Sequence, residues 1–371
     1  YFLKQKSVNV GNVWEETQLL SLTKSGVIDR DIDSGVGKYP ASFEGYQGVE
    51  RGDLVFCLFD VEETPRTVGL VKNRGMITGA YTAYSVDTEK ADPRFLEYLF
   101  ISLDDDKRFK PFYSGLRNTI PKNALTGSRF SLPPVAEQKA IAEFLDRELK
   151  RIEGLIHKQE VLVGLLEEKE LDLIEQHVSG SNRSSAQVLT DDQVWPIIAA
   201  GFELVPLKYA LNMAITDGPH ETPEFLDDGI EFISAEAVSS GEINFENRRG
   251  YISELANKEY SKKYSPRLHD IYMIKSGATT GRSAILREER LFNIWSPLAV
   301  LRSRSDVNPF YLHYAIQSTA FQKSISLAWS FGTQQNIGMG ALGQLKIPLP
   351  SLEIQNEITS SLDRSLDYLK T

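Results

Sequence analysis

The sequence predicts an α+β fold of two tandem β-rich domains, each followed by a long helix. Three observations predict it. The chain repeats itself at a constant spacing: Asp53 with Asp270, Ile120 with Ile337, Leu125 with Leu342, Pro133 with Pro350, Gln138 with Gln355 and Leu145 with Leu362 all lie 217 positions apart. Each copy then follows the same order, a β-rich polar segment, a short aromatic helix, a Gly-containing loop, a strand ending in Leu-Pro and a helix. Finally, Ile141, Leu145, Leu149, Ile152, Leu155, Ile156, Leu162, Leu166 and Leu173 recur at spacings of three, four and seven, with no proline from Val135 to Val178. A period this long means two large domains, not a solenoid of small repeats.

Taken in order, residues 1–133 form the first β-rich domain, with Arg51-Gly52-Asp53-Leu54-Val55 as a strand entry. Asp92-Pro93 and Asn308-Pro309 start the two aromatic helices, with Asp or Asn as N-cap and Pro at the first helical position. Residues 134–178 form one amphipathic helix, about 66 Å long at ~1.5 Å per residue. Such a stripe needs a partner helix, and residues 351–371 begin one in the second copy. The packing residues expected are Ile141, Leu145, Ile152, Leu155, Leu162 and Leu166 on the first helix, with Ile358 and Leu362 on the second. Residues 179–194 hold the polar linker Ser179-Gly180-Ser181-Asn182-Arg183-Ser184-Ser185, and residues 195–350 form the second domain. Because Trp195 to Leu211 correspond to positions before Tyr1, the first domain is expected to lack its leading strand, and the second helix to be truncated.

Composition excludes several classes of function. With 371 residues, 41% hydrophobic and 25% charged, the chain reads as an ordinary globular protein, and its net charge of −10 rules out a uniformly basic coat. Cys57, the only cysteine, removes any disulfide framework or Cys-rich zinc site and suits a reducing cytoplasm. No apolar run approaches the ~20 residues that span a bilayer. Asn308-Pro309-Phe310-Tyr311 approaches the signature with which amino-methyltransferases hold a flipped base, but lacks its second proline. Ser276 to Ser283 lacks the Gly-Lys-Ser/Thr of a phosphate loop and reads as a hairpin loop between strands. The five histidines form no metal-binding grouping, so neither a catalytic set nor a metal site is expected.

Local charge differs from net charge. Residues 107–129 carry six basic residues and no acid, and residues 248–287 carry nine basic residues against three acids. Lys and Arg near a polyanion gain from counterion release, so both runs are candidate DNA contacts, with solvated surface charge as the competing reading. The candidates in the first domain are Arg117, Asn118 and Lys122. Those in the second are Arg248, Arg249, Lys262, Lys263, Lys275, Thr279, Arg282, Gln334 and Gln335. The loop Gly332 to Asn336 matches Gly115 to Thr119 at the same offset. Gln and Asn suit adenine and Arg suits guanine, although all serve as turn residues too. On this reading Arg117, Gln334 and Gln335 approach bases while Arg249, Lys262 and Lys263 hold phosphates.

This combination resembles a known family, the specificity subunits of type I restriction-modification enzymes. The residues that carry the resemblance are Leu132-Pro133-Pro134-Val135-Ala136-Glu137-Gln138-Lys139-Ala140-Ile141, the helix they open, and the weaker echo Leu349-Pro350-Ser351-Leu352-Glu353-Ile354-Gln355. The resemblance implies two target recognition domains, each reading half of a split double-stranded DNA target, and conserved helices that pair antiparallel as a coiled-coil spacer. It also implies two methyltransferase subunits and motor-nuclease restriction subunits as partners. They would use S-adenosylmethionine, ATP and Mg²⁺; no cofactor would be bound by this chain, which would be a non-catalytic, cytoplasmic subunit. Two other readings compete: the recognition part of a fused DNA adenine methyltransferase or nuclease whose catalytic domain lies outside this chain, and a scaffold built on the long helix that binds no DNA.

Overall fold

The computed structural model describes residues 1–31, 42–183, 186–239, 241–329 and 335–369. It divides into two compact units, Tyr1–Lys158 and Gln159–Thr371.

In the first unit a four-stranded antiparallel sheet runs in the order Leu3–Gln5, Thr82–Val86, Leu54–Phe56, Val68–Leu70. Side chains alternate across a strand, and the central strand shows the consequence. Leu54 and Phe56 enter a core with Leu96 and Phe100 of α1 (Pro93–Asp105), while Val55 faces a second cluster with Leu20, Val49 and Ile77. Two faces are covered, so all three residues are buried. Helices α2 (Lys122–Gly127) and α3 (Val135–Ser179) follow, and α3 is shared by both units.

The second unit repeats this sheet in the same order, Thr216–Asp217, Leu298–Leu301, Ile271–Ile274, Ser283–Ile285. Its central strand divides likewise, Ile271 and Met273 entering one core, Tyr272 and Ile274 another. Its helices are α4 (Glu254–Tyr260), α5 (Pro309–Gln317), α6 (Thr319–Leu327), α7 (Met339–Gln344) and α8 (Leu352–Leu369). Glu203–Pro206 pairs with Lys346–Leu349, whereas residues 129–132 of the first unit lie outside any strand.

The duplication extends to individual hydrogen bonds. Asp92 caps α1 by accepting from the Arg94 and Phe95 amides, and Asn308 caps α5 by accepting from the Phe310 and Tyr311 amides. The backbone amide of each cap is held by the glutamine that opens the following helix. Gln138 Oε1 accepts from Asp92 N at 2.9 Å and Gln355 Oε1 from Asn308 N at 2.8 Å, while their Nε2 atoms donate to the Pro133 and Pro350 carbonyls, both at 2.8 Å. Tyr98 and Tyr314 donate their hydroxyls to Asp146 at 2.6 Å and Asp363 at 2.5 Å. The Leu-Pro-x-x-x-x-Gln sequence is thus a clamp tying each aromatic helix to the next helix. Gln138→Ala leaves a buried amide and a carbonyl unpaired, so a loss of about 2 kcal/mol in chemical denaturation is expected, with a similar loss for Gln355→Ala. Unchanged stability in both would refute the clamp.

In the second unit α8 packs on the end of α3: Ile358 and Leu362 are buried in one core with Ile174 and Val178. His177 meets Ser361 and Arg183 meets Glu357, so the chain directions are antiparallel. The rest of the expected seam differs. Ile152, Leu155 and Leu162 are 46%, 49% and 54% exposed, and Ile141, Leu145 and Leu166 are half-buried. The reason is length: the 18 residues of α8 reach about 27 Å at ~1.5 Å each, against about 67 Å for the 45 residues of α3. Ile358 and Leu362 therefore pack with Ile174 and Val178, outside the set expected to face them.

Candidate nucleic-acid interface

The offset that relates the two scaffolds also relates two pairs of loops. In the first unit Asp60 N donates to Arg117 O at 2.8 Å and Ile120 N to Leu58 O at 2.8 Å. In the second, Gly277 N donates to Gln335 O at 3.0 Å and Ile337 N to Lys275 O at 2.9 Å. Each unit thus fastens the loop before its short helix, α2 or α7, onto the loop leaving its central sheet strand. Matching backbone frames, the second shifted by one residue at Gln335, present different side chains, Asp60 and Arg117 in one unit, Gly277 and Gln335 in the other.

In the first frame Arg117 is 67% exposed, its guanidinium lies 5.4 Å from the Phe59 ring centre, and its Nε donates to Asp60 Oδ1 at 2.9 Å. Its Nη2 donates to Oδ2 of the same carboxylate. That arginine holds the Asp60 carboxyl below its ordinary range. Asn118 adopts a left-handed backbone, φ +42°, in the turn closed by Ser114 and Thr119, and Lys122 begins α2 with its side chain exposed. In the second frame Ile271–Ile274 and Ser283–Ile285 form the expected hairpin. Thr279 is half-buried in its loop, and Arg282 is exposed with no ion pair among the described residues. Gln335 is exposed beside this loop, its carbonyl also accepting from the Thr280 hydroxyl at 3.4 Å. Gln334 lies outside the described residues.

Folding changes the picture drawn from the basic runs, because acids, mostly from elsewhere in the chain, meet most of the basic candidates. Lys263 and Lys275 both converge on Asp217, at 2.5 and 3.3 Å, and Asp217 is only 1% exposed. Burial raises that carboxyl, but the two lysines outweigh it and hold it below 3.8. Lys275 is itself only 13% exposed, so its ammonium is committed to this pair and is withdrawn from the surface that a phosphate could reach. Arg248 is also largely committed: it donates to the Phe245 carbonyl at 3.0 Å and lies 4.7 Å from the Tyr251 ring centre. Arg249 pairs with Glu236 over the Trp295 ring, and Lys262 pairs with Glu259 at 2.5 Å. The last two pairs are exposed, and surface pairs are worth only about 0–1 kcal/mol, so an incoming phosphate can replace the carboxylate. Neither Asp60 nor Asp217 was expected at the site from the sequence; the nearest signal was that Asp60 and Gly277 share the 217-residue offset.

Among the described residues no three His, Cys, Asp or Glu side chains converge as a metal-binding group, and no helix is long and apolar enough to cross a membrane. Cys57 is buried.

Residues 222–370 match the type I restriction modification DNA specificity domain. The chain is 25% identical over 257 residues to the specificity subunit of the type I restriction enzyme EcoBI of Escherichia coli, covering 67% of this chain and 54% of that protein. It is 27% identical over 296 residues to the specificity subunit of the type I restriction enzyme MjaVIII of Methanocaldococcus jannaschii, covering 73% and 63%. The chain therefore spans between half and two thirds of the length of these relatives. A solved structure described as the structural basis of complex assembly and conformational transition of the type I R-M system superposes with a TM-score of 0.60 at 17% identity, covering 100% of this chain and 91% of that one, which is a likeness of fold. Beside the duplicated sheets, the clamped helix entries and the paired loop frames, the chain is thus similar in its second half to the type I restriction modification DNA specificity domain, and in sequence to two type I specificity subunits.

Proposed function

We propose that the chain reads a split double-stranded DNA target, one half-site per unit, and performs no catalytic step itself. The observation that carries this reading is the pair of loop frames, alike in backbone hydrogen bonding apart from a one-residue shift at Gln335, and different in side chains. A device for reading two different half-sites needs that combination, because position must be held constant while recognition chemistry varies. The base-approaching residues are Arg117 and Gln335, with Gln334 as a further candidate outside the described residues. Arg249, Lys262, Lys122 and Arg282 are the phosphate candidates, since each keeps its charge at the surface.

The partners proposed are two methyltransferase subunits and restriction subunits, which would use S-adenosylmethionine, ATP and Mg²⁺ in a cytoplasmic complex. The exposed apolar residues of α3 from Leu149 to Leu171 supply a surface on which partner helices can bury area. The acidic net charge fits a chain whose DNA contacts are completed by those partners, and it predicts weak, salt-sensitive binding by the chain alone.

Exchange of one unit tests the reading. Replacing residues 195–348 with the corresponding segment of a relative should alter one half of the methylated motif and leave the other unchanged, as read by sequencing methylated sites in a host carrying the complex. Alteration of both halves would sink independent reading.

A further inference from the structure

Asp60 stands in a left-handed backbone conformation, φ +49°, which side chains other than glycine seldom adopt. Its counterpart 217 positions later is Gly277, φ +111°, and glycine takes such a backbone freely. The first unit therefore carries a carboxylate where the frame itself asks for glycine. The bond that this carboxylate makes is to Arg117, with Nε and Nη2 donating to its two oxygens.

A guanidinium has five N–H donors, and two are spent on Asp60. Those that remain include both hydrogens of Nη1 and one of Nη2, which form the outer edge of the fork. That edge faces outward on a side chain 67% exposed, and the Phe59 ring, itself stacked on Tyr81 with ring centres 6.2 Å apart, lies beside it. The pair as a whole is neutral. It gains little by displacing counterions from a phosphate, and Asp60 would repel one. Its directional donors remain, and two adjacent acceptors on an uncharged base edge satisfy them. Guanine presents that arrangement at O6 and N7, whereas adenine puts an N–H donor beside its N7.

We propose that Asp60 is a positioning residue that aims Arg117 at a guanine in the half-site read by the first unit. This rests on the DNA-recognition reading above and adds to it the base and the residue that fixes it. At the 217-residue offset the second unit has Gly277 in place of the carboxylate and Gln334 in place of the arginine, so the device belongs to one half-site only.

The test uses the full chain assembled with its methyltransferase subunits, incubated with a pool of random-sequence duplexes; the bound fraction is sequenced. Wild-type protein should enrich a split motif with guanine at one position that Arg117 governs. Arg117→Ala and Arg117→Lys should each lower preference at that position by roughly 5- to 150-fold while the other half-site persists. Asp60→Gly suits the backbone and so keeps the fold. It should relax the same position and, by freeing a cation, steepen the salt dependence of binding to arbitrary duplex. If Arg117→Ala weakens all sequences equally, Arg117 grips phosphate; the inference falls and the recognition reading stands. An intact guanine preference in Asp60→Gly also overturns the inference, since the ion pair is then mere surface charge or a latch. If wild-type protein enriches no motif at all, both the inference and the reading on which it rests fall.

Discussion

Asp270→Ala is expected to cost the second unit about 3–5 kcal/mol, because it strands a cation that the fold has removed from water. Asp270 is fully buried, and its two oxygens accept from Arg302 Nε at 2.6 Å and Nη2 at 2.7 Å, from the Tyr264 hydroxyl at 2.6 Å and from the Arg267 amide at 2.8 Å. Tyr264 is hydrogen-bonded in turn to the Tyr272 hydroxyl at 2.7 Å, inside a core. Removing the carboxylate takes away the acceptor that three donor groups share: Arg302 keeps the Ser265 carbonyl at 2.9 Å and Tyr264 keeps Tyr272, but Arg302 Nε and the Arg267 amide lose their partner. The equivalent residue, Asp53, makes the same local turn by accepting from the Glu50 amide at 2.7 Å, but its cation is Lys6, more flexible and 22% exposed. Asp53→Ala should therefore cost less than Asp270→Ala. Differential scanning calorimetry of the whole chain can separate the two, and a loss below about 1 kcal/mol for Asp270→Ala would mean that water or a rearranged Arg302 satisfies the network.

These two aspartates show what could be read before the structure and what could not. Their equivalence was legible as a repeat, because the turn they close is local: Glu50 and Arg267 lie three residues before them. The helix starts at Asp92 and Asn308 were legible for the same reason, cap and proline being adjacent. The function of Gln138 and Gln355 was only half visible, since each reaches about 46 residues back to the amide that it holds. Charge was the least legible property. Lys263 finds Asp217 and Arg117 finds Asp60, partners 46 and 57 residues away, so a count of charges in a window overstates the positive field that either run presents after folding. The short reach of α8 was legible from residues 351–371, but the part of α3 that it covers was not, because periodicity identifies an apolar face and not the register in which it is met: Ile358 and Leu362 pack with Ile174 and Val178.

The second large effect is a loss of stability on mild acidification that depends on one histidine. His313 lies within α5, 4% exposed, with its Nε2 lacking a partner among the described residues. Burial pushes its imidazole down to about 4, and the nearby Arg287 cation acts in the same direction, while a hydrogen bond to the Ser283 backbone opposes them. Above pH 6.5 the ring is neutral whether the chain is folded or unfolded, and nothing changes with pH. Below 6.5 the unfolded chain takes up a proton that the folded chain refuses until about 4, so stability is lost across that interval. The loss amounts to about 2 kcal/mol by pH 5 and about 3 kcal/mol at pH 4. Carboxylates such as Asp217, held below 3.8 by its lysines, contribute their own losses only at lower pH, whereas Glu175, raised by burial, takes up its proton earlier in the folded chain and opposes the histidine's loss. The measurement is urea denaturation of wild type and His313→Gln at pH 7.5 and pH 5. Gln keeps a polar side chain that takes no proton, so the variant's stability should not fall between these values while the wild type falls. Parallel falls in the two proteins would show that the proton is taken up elsewhere.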